Sequence, residues 1–174
     1  AAAATAMATG VKTKSGALGV DAEGKPVRNV VEAAESVGKA TGVITSVEVT
    51  HATPAGFVVH ANERGELAEI ARQMFGRSKA DVVMGAGHPW YDVGGKLTGK
   101  DDGAGGFTAP EKAYKWFADS ALWSQLMTDA CGNDADGDNQ PDPWDFLQTR
   151  DEFRSLTAGD APKRVLGVAQ VETS

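Results

Sequence analysis

The sequence predicts an α/β fold: part of a central sheet with helices on both faces, interrupted by a helical and loop insertion. Three observations predict it. Two short runs rich in β-branched or small apolar residues, "VITSVEV" (43–49) and "ADVVMGAG" (80–87), read as buried strands that end in a loop or a glycine turn. Apolar residues at helical spacing lie before and between them. A third apolar run, "RVLGVAQVE" (164–172), brings a strand back after a long polar, glycine-rich stretch.

Taken in order, residues 1–9 form an uncharged helix of alanine and other small residues. Alanine has the highest helix propensity, and the lack of charge predicts close packing on both sides. Gly10 is placed to stop it. Residues 11–28 read as loop or short hairpin. Residues 29–40 read as a helix, with Asn29 as N-cap, Glu32 completing a capping box, and Val30, Ala33, Ala34 and Val37 as the apolar stripe. After the first strand, Thr53-Pro54 fits N-cap plus N1 and predicts a helix over 54–61. Residues 67–75 form a second amphipathic helix closed by Gly76. Beyond residue 88, "GGKLTGKDDGAGG" is loop, and Thr108-Ala109-Pro110 opens a long helix to about Ala130 carrying Tyr114, Trp116, Phe117, Leu122, Trp123 and Leu126. A short helix is expected around 151–156. The organisation is a core segment 1–87, an insertion 88–150 and a return to the core sheet over 151–174.

Composition excludes several classes. A chain of 174 residues with 41% hydrophobic residues suits one domain or part of a larger one. The net charge of −7 argues against a nucleic acid partner, because phosphate contacts need clustered Lys and Arg. No apolar run is long enough to span a membrane. The single cysteine, Cys131, makes no internal disulfide. The start lacks the basic and leucine-rich regions of a signal peptide, so a targeting segment is expected outside the chain.

Ligands in α/β sheets gather at the carboxyl ends of strands. "HATPAGFVVHANER" (51–64) lies there. His51 and Thr53 can face a metal or its waters, and Arg64 offers a planar fork for a phosphate or carboxylate. Each also has a plain role: Thr53 as an N-cap, Arg64 as a surface arginine, and His60 as a packed, hydrogen-bonded core histidine. Separately, Asp134, Asp136, Asp138 and Asp142 alternate around Gly137 as in calcium loops. The position where an EF-hand carries Glu holds Asp145, so the loop is an incomplete match. It reads either as a Ca²⁺ site or as a solvated acidic turn.

"TGVKTKSGALGV" (9–20), "ATGVITSVEVTHATPA", "HATPAGFVVHANER" and "ADVVMGAG" resemble the alkaline phosphatase family in order and spacing over about the first 90 residues. The resemblance implies hydrolysis of phosphate monoesters through a covalent phospho-Ser or phospho-Thr intermediate, with two Zn²⁺ ions and a Mg²⁺ site. "AAAAT" matches the small residues after the nucleophile, which places the nucleophile immediately before Ala1. The Ala1 amide, at a helix N-terminus, is then a phosphate donor. His51 and Thr53 match the magnesium site, and Arg64 matches the arginine that grips two phosphate oxygens. A neutral imidazole is a poorer partner for Mg²⁺ than the carboxylate of many bacterial members, so altered affinity or zinc intrusion is expected. With three histidines, the zinc ligands are expected mostly outside this chain. The chain alone is therefore expected to be inactive and to work with the remaining portion of the same enzyme, a periplasmic or secreted homodimer. The alternatives are a non-catalytic extracellular calcium-binding module and a related metallo-phosphodiesterase or sulfatase.

Overall fold

The computed structural model describes residues 1–156 and 162–173; the expected return segment 151–174 therefore includes residues outside the described ones. The first part of the chain runs α1 (Ala2–Thr9), α2 (Val30–Glu35), β1 (Gly42–Glu48), α3 (Ala52–Ala55), α4 (Leu67–Gly76) and β2 (Val82–Ala86). The second part contains β3 (Lys100–Asp101), β4 (Phe107–Thr108), a 3₁₀ helix (Glu111–Phe117), α5 (Ser120–Met127), β5 (Gly132–Asn133) and β6 (Asp142–Pro143). It ends with β7 (Asp145–Leu147), α6 (Arg150–Ser155) and β8 (Val165–Val168).

The central sheet has the order β1-β2-β8-β7, and all three pairings are parallel. Val43 stands beside Val83, Val83 beside Leu166, and Leu166 beside Phe146. Parallel strands need covered crossovers, which the helices between them provide, so the architecture is the expected α/β one. β8 is buried along its whole length because it lies between β2 and β7.

Local signals explain the elements that match expectation. Gly10 adopts a left-handed φ of 74° and its N–H caps α1 on Ala6 O. The Asn29–Glu32 capping box is present in both directions. Four expectations are corrected. The helix over 29–40 stops at Glu35, and the chain then turns through Gly38 at φ 71°. The helix over 54–61 is only α3, with His51 rather than Thr53 at its N-cap; Thr53 lies inside it. The long helix to Ala130 is broken at Ala118, which has a φ of 67°. Asp119 then starts α5 by accepting from Leu122 N. Finally, the run "DFL", expected within the insertion, is β7 of the central sheet. Buried Trp144 sets its entry by donating to Phe75 O at 2.7 Å.

The second part of the chain is built around aromatics. Trp123 is 2% exposed and makes edge contacts with His88, Trp90, Phe117 and Phe146. Phe117 stacks on Phe75 of α4 at 5.4 Å, joining this cluster to the first part. Arg164, 1% exposed, is the other tie. Its guanidinium lies over the Trp144 ring and donates to Ser78 O, Ala80 O, Asp142 O and Asn133 Oδ1. A buried guanidinium is tolerated only when its donors are spent in this way.

His88 is also buried, at 1% exposed. Its Nδ1 accepts from Trp90 N and its Nε2 donates to Gln148 Oε1, so the ring is neutral with both nitrogens used. Burial pushes its pKa from 6.5 down to about 4, against a smaller opposing effect of Gln148. Above pH 6.5 neither the folded nor the unfolded form is charged, and the full stability is present. As pH falls from 6.5 to about 4, the unfolded chain takes up a proton that the folded chain refuses. Native stability should therefore drop by about 3 kcal/mol over that window from this residue alone. Urea titrations at about pH 7.5 and about pH 4, compared with His88→Gln, should show that loss in the native protein in excess of the variant.

Candidate functional site

The carboxyl end of β1 builds the site. Val49 and Thr50 are fully buried, and Thr50 Oγ1 donates to Trp116 O at 2.9 Å, tying this end to the 3₁₀ helix. The chain then turns sharply, with His51 N donating to Glu48 O at 2.8 Å. His51 O accepts from Ala55 N and opens α3. Pro54 sits in that first turn, where its missing N–H leaves no hydrogen bond unmade.

The side chains of His51 and Arg64 come together. Arg64 Nη2 donates to His51 Nε2 at 3.0 Å. Arginine has donors only, so Nε2 is the acceptor and the hydrogen of the neutral ring sits on Nδ1. Nδ1 is buried and has no partner among the described residues. Arg64 is exposed, and its backbone N donates to Gly16 O at 2.8 Å. It stands on the turn before α4 rather than at the end of a helix. Arg64 also stands close enough to the start of α1 for its charge to be felt there. Arg64 thus lies within electrostatic reach of both His51 and the start of α1.

Thr53 is placed differently. It is exposed on α3 and borders a cleft of about 260 Å³ with Ile44 and Thr45. Its hydroxyl makes no hydrogen bond to His51 or Arg64.

α1 and the end of α3 approach closely at Gly56, the residue that caps α3. A Cβ at Gly56 would stand 2.8 Å from Ala4 Cβ and 3.3 Å from Thr5 N. Neither Gly56 nor Thr5 was singled out from the sequence as a site residue. The signal for Gly56 was available: a glycine directly after "ATPA", in a chain that opens with a helix of mostly small residues.

The acidic loop brings three of its four aspartates together. Oxygens of Asp134, Asp136 and Asp138 lie within 4.8 Å of one another. Asp142 stands apart from that group and is 7% exposed. Lys163 Nζ bridges Asp136 Oδ2 at 2.5 Å and Asp142 Oδ1 at 2.6 Å, and it holds both carboxylates below the ordinary range. Asp134 accepts from Gly137 N and Asn139 N, closing the turn.

Comparison with known proteins assigns the family. The family model described as alkaline phosphatase matches residues 1–105. The chain belongs to the alkaline phosphatase family. Alkaline phosphatase 4 of Bacillus subtilis is 42% identical over 97 residues, covering 53% of this chain and 21% of its own length. The repressible alkaline phosphatase of Saccharomyces cerevisiae is 38% identical over 103 residues, covering 56% of this chain and 18% of its own. The cold-active alkaline phosphatase of a Shewanella species superposes with a TM-score of 0.67 at 28% identity, over 100% of this chain and 33% of that one. The enzyme of the Antarctic bacterium TAB5 has a TM-score of 0.59 at 24% identity, over 100% and 40%. Variants of that enzyme with one histidine replaced by aspartate or glutamate are solved with magnesium in a site called M3. The chain spans about a fifth of the length of these curated relatives.

The close approach of α1 to α3 generates a prediction. Gly56→Ala should destabilise the fold by about 1–3 kcal/mol, the usual range for overpacking where backbone must yield. Urea unfolding checks it, and Gly76→Ala, whose added Cβ would meet nothing within 4 Å, is the control.

Proposed function

We propose that this chain carries the phosphate-gripping and magnesium-side residues of a phosphate-monoester hydrolase that works through a phospho-Ser or phospho-Thr intermediate. The observation that carries the reading is the Arg64–His51 hydrogen bond beside the start of α1. In family members a hydroxyl immediately before the "AAAAT" helix attacks phosphorus, the P–O ester bond breaks, and an alcohol leaves. Water then cleaves the phosphoenzyme and releases inorganic phosphate.

The residues of this chain fit parts of that task. Arg64 is exposed, always charged, and offers two parallel N–H groups to two phosphate oxygens. Turning to a phosphate releases His51 Nε2. The Ala1 amide and the positive end of α1 add donors and a partial positive charge. His51 and Thr53 are the proposed magnesium-side residues. The unpartnered buried Nδ1–H supports a role for His51 as a donor to an oxygen, that of a phosphate or of a metal-bound water, and the free Thr53 hydroxyl supports coordination by oxygen. Magnesium and two zinc ions, when bound, would supply electrostatic stabilisation of the attacking and leaving oxygens. The zinc ligands are proposed to come mostly from outside this chain. A homodimer, an extracytoplasmic location, and the division into 1–87, 88–150 and 151–174, with β7 of the second part completing the central sheet, are part of the same proposal.

Arg64 favours monoesters over diesters, because a monoester offers it two free oxygens. Arg64→Ala in the full-length enzyme should raise KM for p-nitrophenyl phosphate by about 10-fold or more, with a smaller fall in kcat. Steady-state assays at alkaline pH with Zn²⁺ and Mg²⁺ measure both. An unchanged KM would remove Arg64 from phosphate binding, and no hydrolysis by the native enzyme would sink the phosphatase reading.

The clustering of Asp134, Asp136 and Asp138 favours a second proposal, a calcium site in the acidic loop. Ca²⁺ would have to displace Lys163 from Asp136. Lys163→Met should therefore tighten Ca²⁺ binding in calorimetry, and an absence of heat in both proteins would eliminate the site.

A further inference from the structure

We propose that Thr5 is a positioning residue for phosphate binding, acting through a strap of residues 16–19 that holds α1 and Arg64 at one fixed separation. The inference rests on the phosphatase reading above and assigns a part to the "TGVKTKSGALGV" block that reading leaves unused.

Thr5 is fully buried, and its hydroxyl is used in both senses. Oγ1 donates to Ala17 O at 3.1 Å and accepts from Gly19 N at 3.0 Å. Thr5 also lies one turn from the start of α1, where its N–H donates to Ala1 O at 3.0 Å. The strap is therefore pinned to the helix end that carries the Ala1 amide.

The other side of the strap holds Arg64. Leu18 and Ala61 exchange both backbone hydrogen bonds at 2.9 Å, and Arg64 N donates to Gly16 O at 2.8 Å. Neither end can slide. Gly19 has a φ of +61°, and a Cβ there would lie 2.1 Å from Val59 O. Leu18 and Ala61 are buried at 0% and 4% exposure. Four residues thus connect, by hydrogen bonds alone, two phosphate-binding groups that are far apart in sequence. A phosphate held by both requires their separation to be right to within a fraction of an ångström, and small misplacements are costly in rate and affinity.

Thr5→Val keeps the shape of the side chain and leaves Ala17 O and Gly19 N without their partner. Thr5→Ser keeps both hydrogen bonds. Three quantities are read in the full-length enzyme: the competitive inhibition constant of inorganic phosphate, the hydrogen exchange of the Gly19 and Arg64 amides, and thermal melting. Thr5→Val should weaken phosphate by about tenfold and speed exchange at both amides by about tenfold, as expected for one lost buried hydrogen-bond pair. Thr5→Ser should stay within about twofold of native on both. A purely structural threonine would lower the melting temperature alone. If Thr5→Val does not fold, Gly16→Ala perturbs the Arg64 end of the strap. Its φ of +93° strains an alanine, while its nearest neighbour is the flexible end of Glu63. It should weaken phosphate in the same direction. A folded variant with native phosphate affinity and native Arg64 exchange overturns the inference and leaves the phosphatase reading standing. A native enzyme that neither binds inorganic phosphate nor hydrolyses monoesters overturns both.

Discussion

The candidate site depends on one contact: the approach of α1 to α3, where a Cβ at Gly56 would meet Ala4 Cβ at 2.8 Å. No side chain fits at Gly56 without a shift, and α1 meets that approach with the methyl of Ala4. The composition of "AAAATAMAT" is thus a packing solution before it is anything else. Ala4, Thr5 and Ala8 are buried, while Met7 is exposed, so the helix lies against its neighbours along one side and shows the other to solvent. That corrects the expectation of close packing all round. The same closeness brings the positive end of the helix beside the strand-end loop of β1. Helix dipoles act within about one turn, so the proposed part of the α1 terminus in anion binding rests on this proximity.

The parallel sheet supplies the rest of the frame. β1 and β2 run side by side, and the site residues follow β1 directly. Thr50 carries the connection outward through its bond to Trp116 O, so the aromatic second part of the chain is anchored to the floor of the site. That second part has its own centre in Trp123 and is held to the strands by Arg164, which reaches the chain before β2 as well as β5 and β6. The segment between β2 and β7 is therefore a packed extension of the sheet, built from aromatic contacts rather than aliphatic ones.

Short-range features were legible in the sequence. The Asn29 capping box, the Gly10 stop and the amphipathic α4 depend on a few neighbouring residues, and each was placed from those residues alone. Features set by distant partners were not. Nothing near "DFL" announces a strand; β7 exists because β8 offers an edge and Trp144 is buried against Phe75. The break at Ala118 interrupts good helical periodicity because the rings of Tyr114, Phe117 and Trp123 must share one core. Arg164 opens the run "RVLGVAQVE", and only the carbonyls gathered around it explain the burial of its charge. At the site, the residue types were legible at 51, 53 and 64. The pairing of His51 with Arg64 required the chain to leave the helix at Gly56 and to run extended past Leu18 at Ala61, which the expected helix over 54–61 would have erased.

Under the proposed function, that pairing also bears on how an imidazole at position 51 would serve phosphate binding by Arg64. A carboxylate beside Arg64 would form a charge-assisted, two-pronged pair and hold the guanidinium strongly. A neutral imidazole accepts a single hydrogen bond, so Arg64 is parked rather than locked. A phosphate, offering two oxygens and at least one full negative charge, outcompetes one imidazole nitrogen on both counts. What is lost is charge toward a hard divalent cation, for which imidazole is a poorer partner. Under the proposed function, the arrangement gives up metal affinity and leaves the arginine freer. The unpartnered Nδ1–H is the residue of that trade, a donor that fits an anionic oxygen better than it fits a cation.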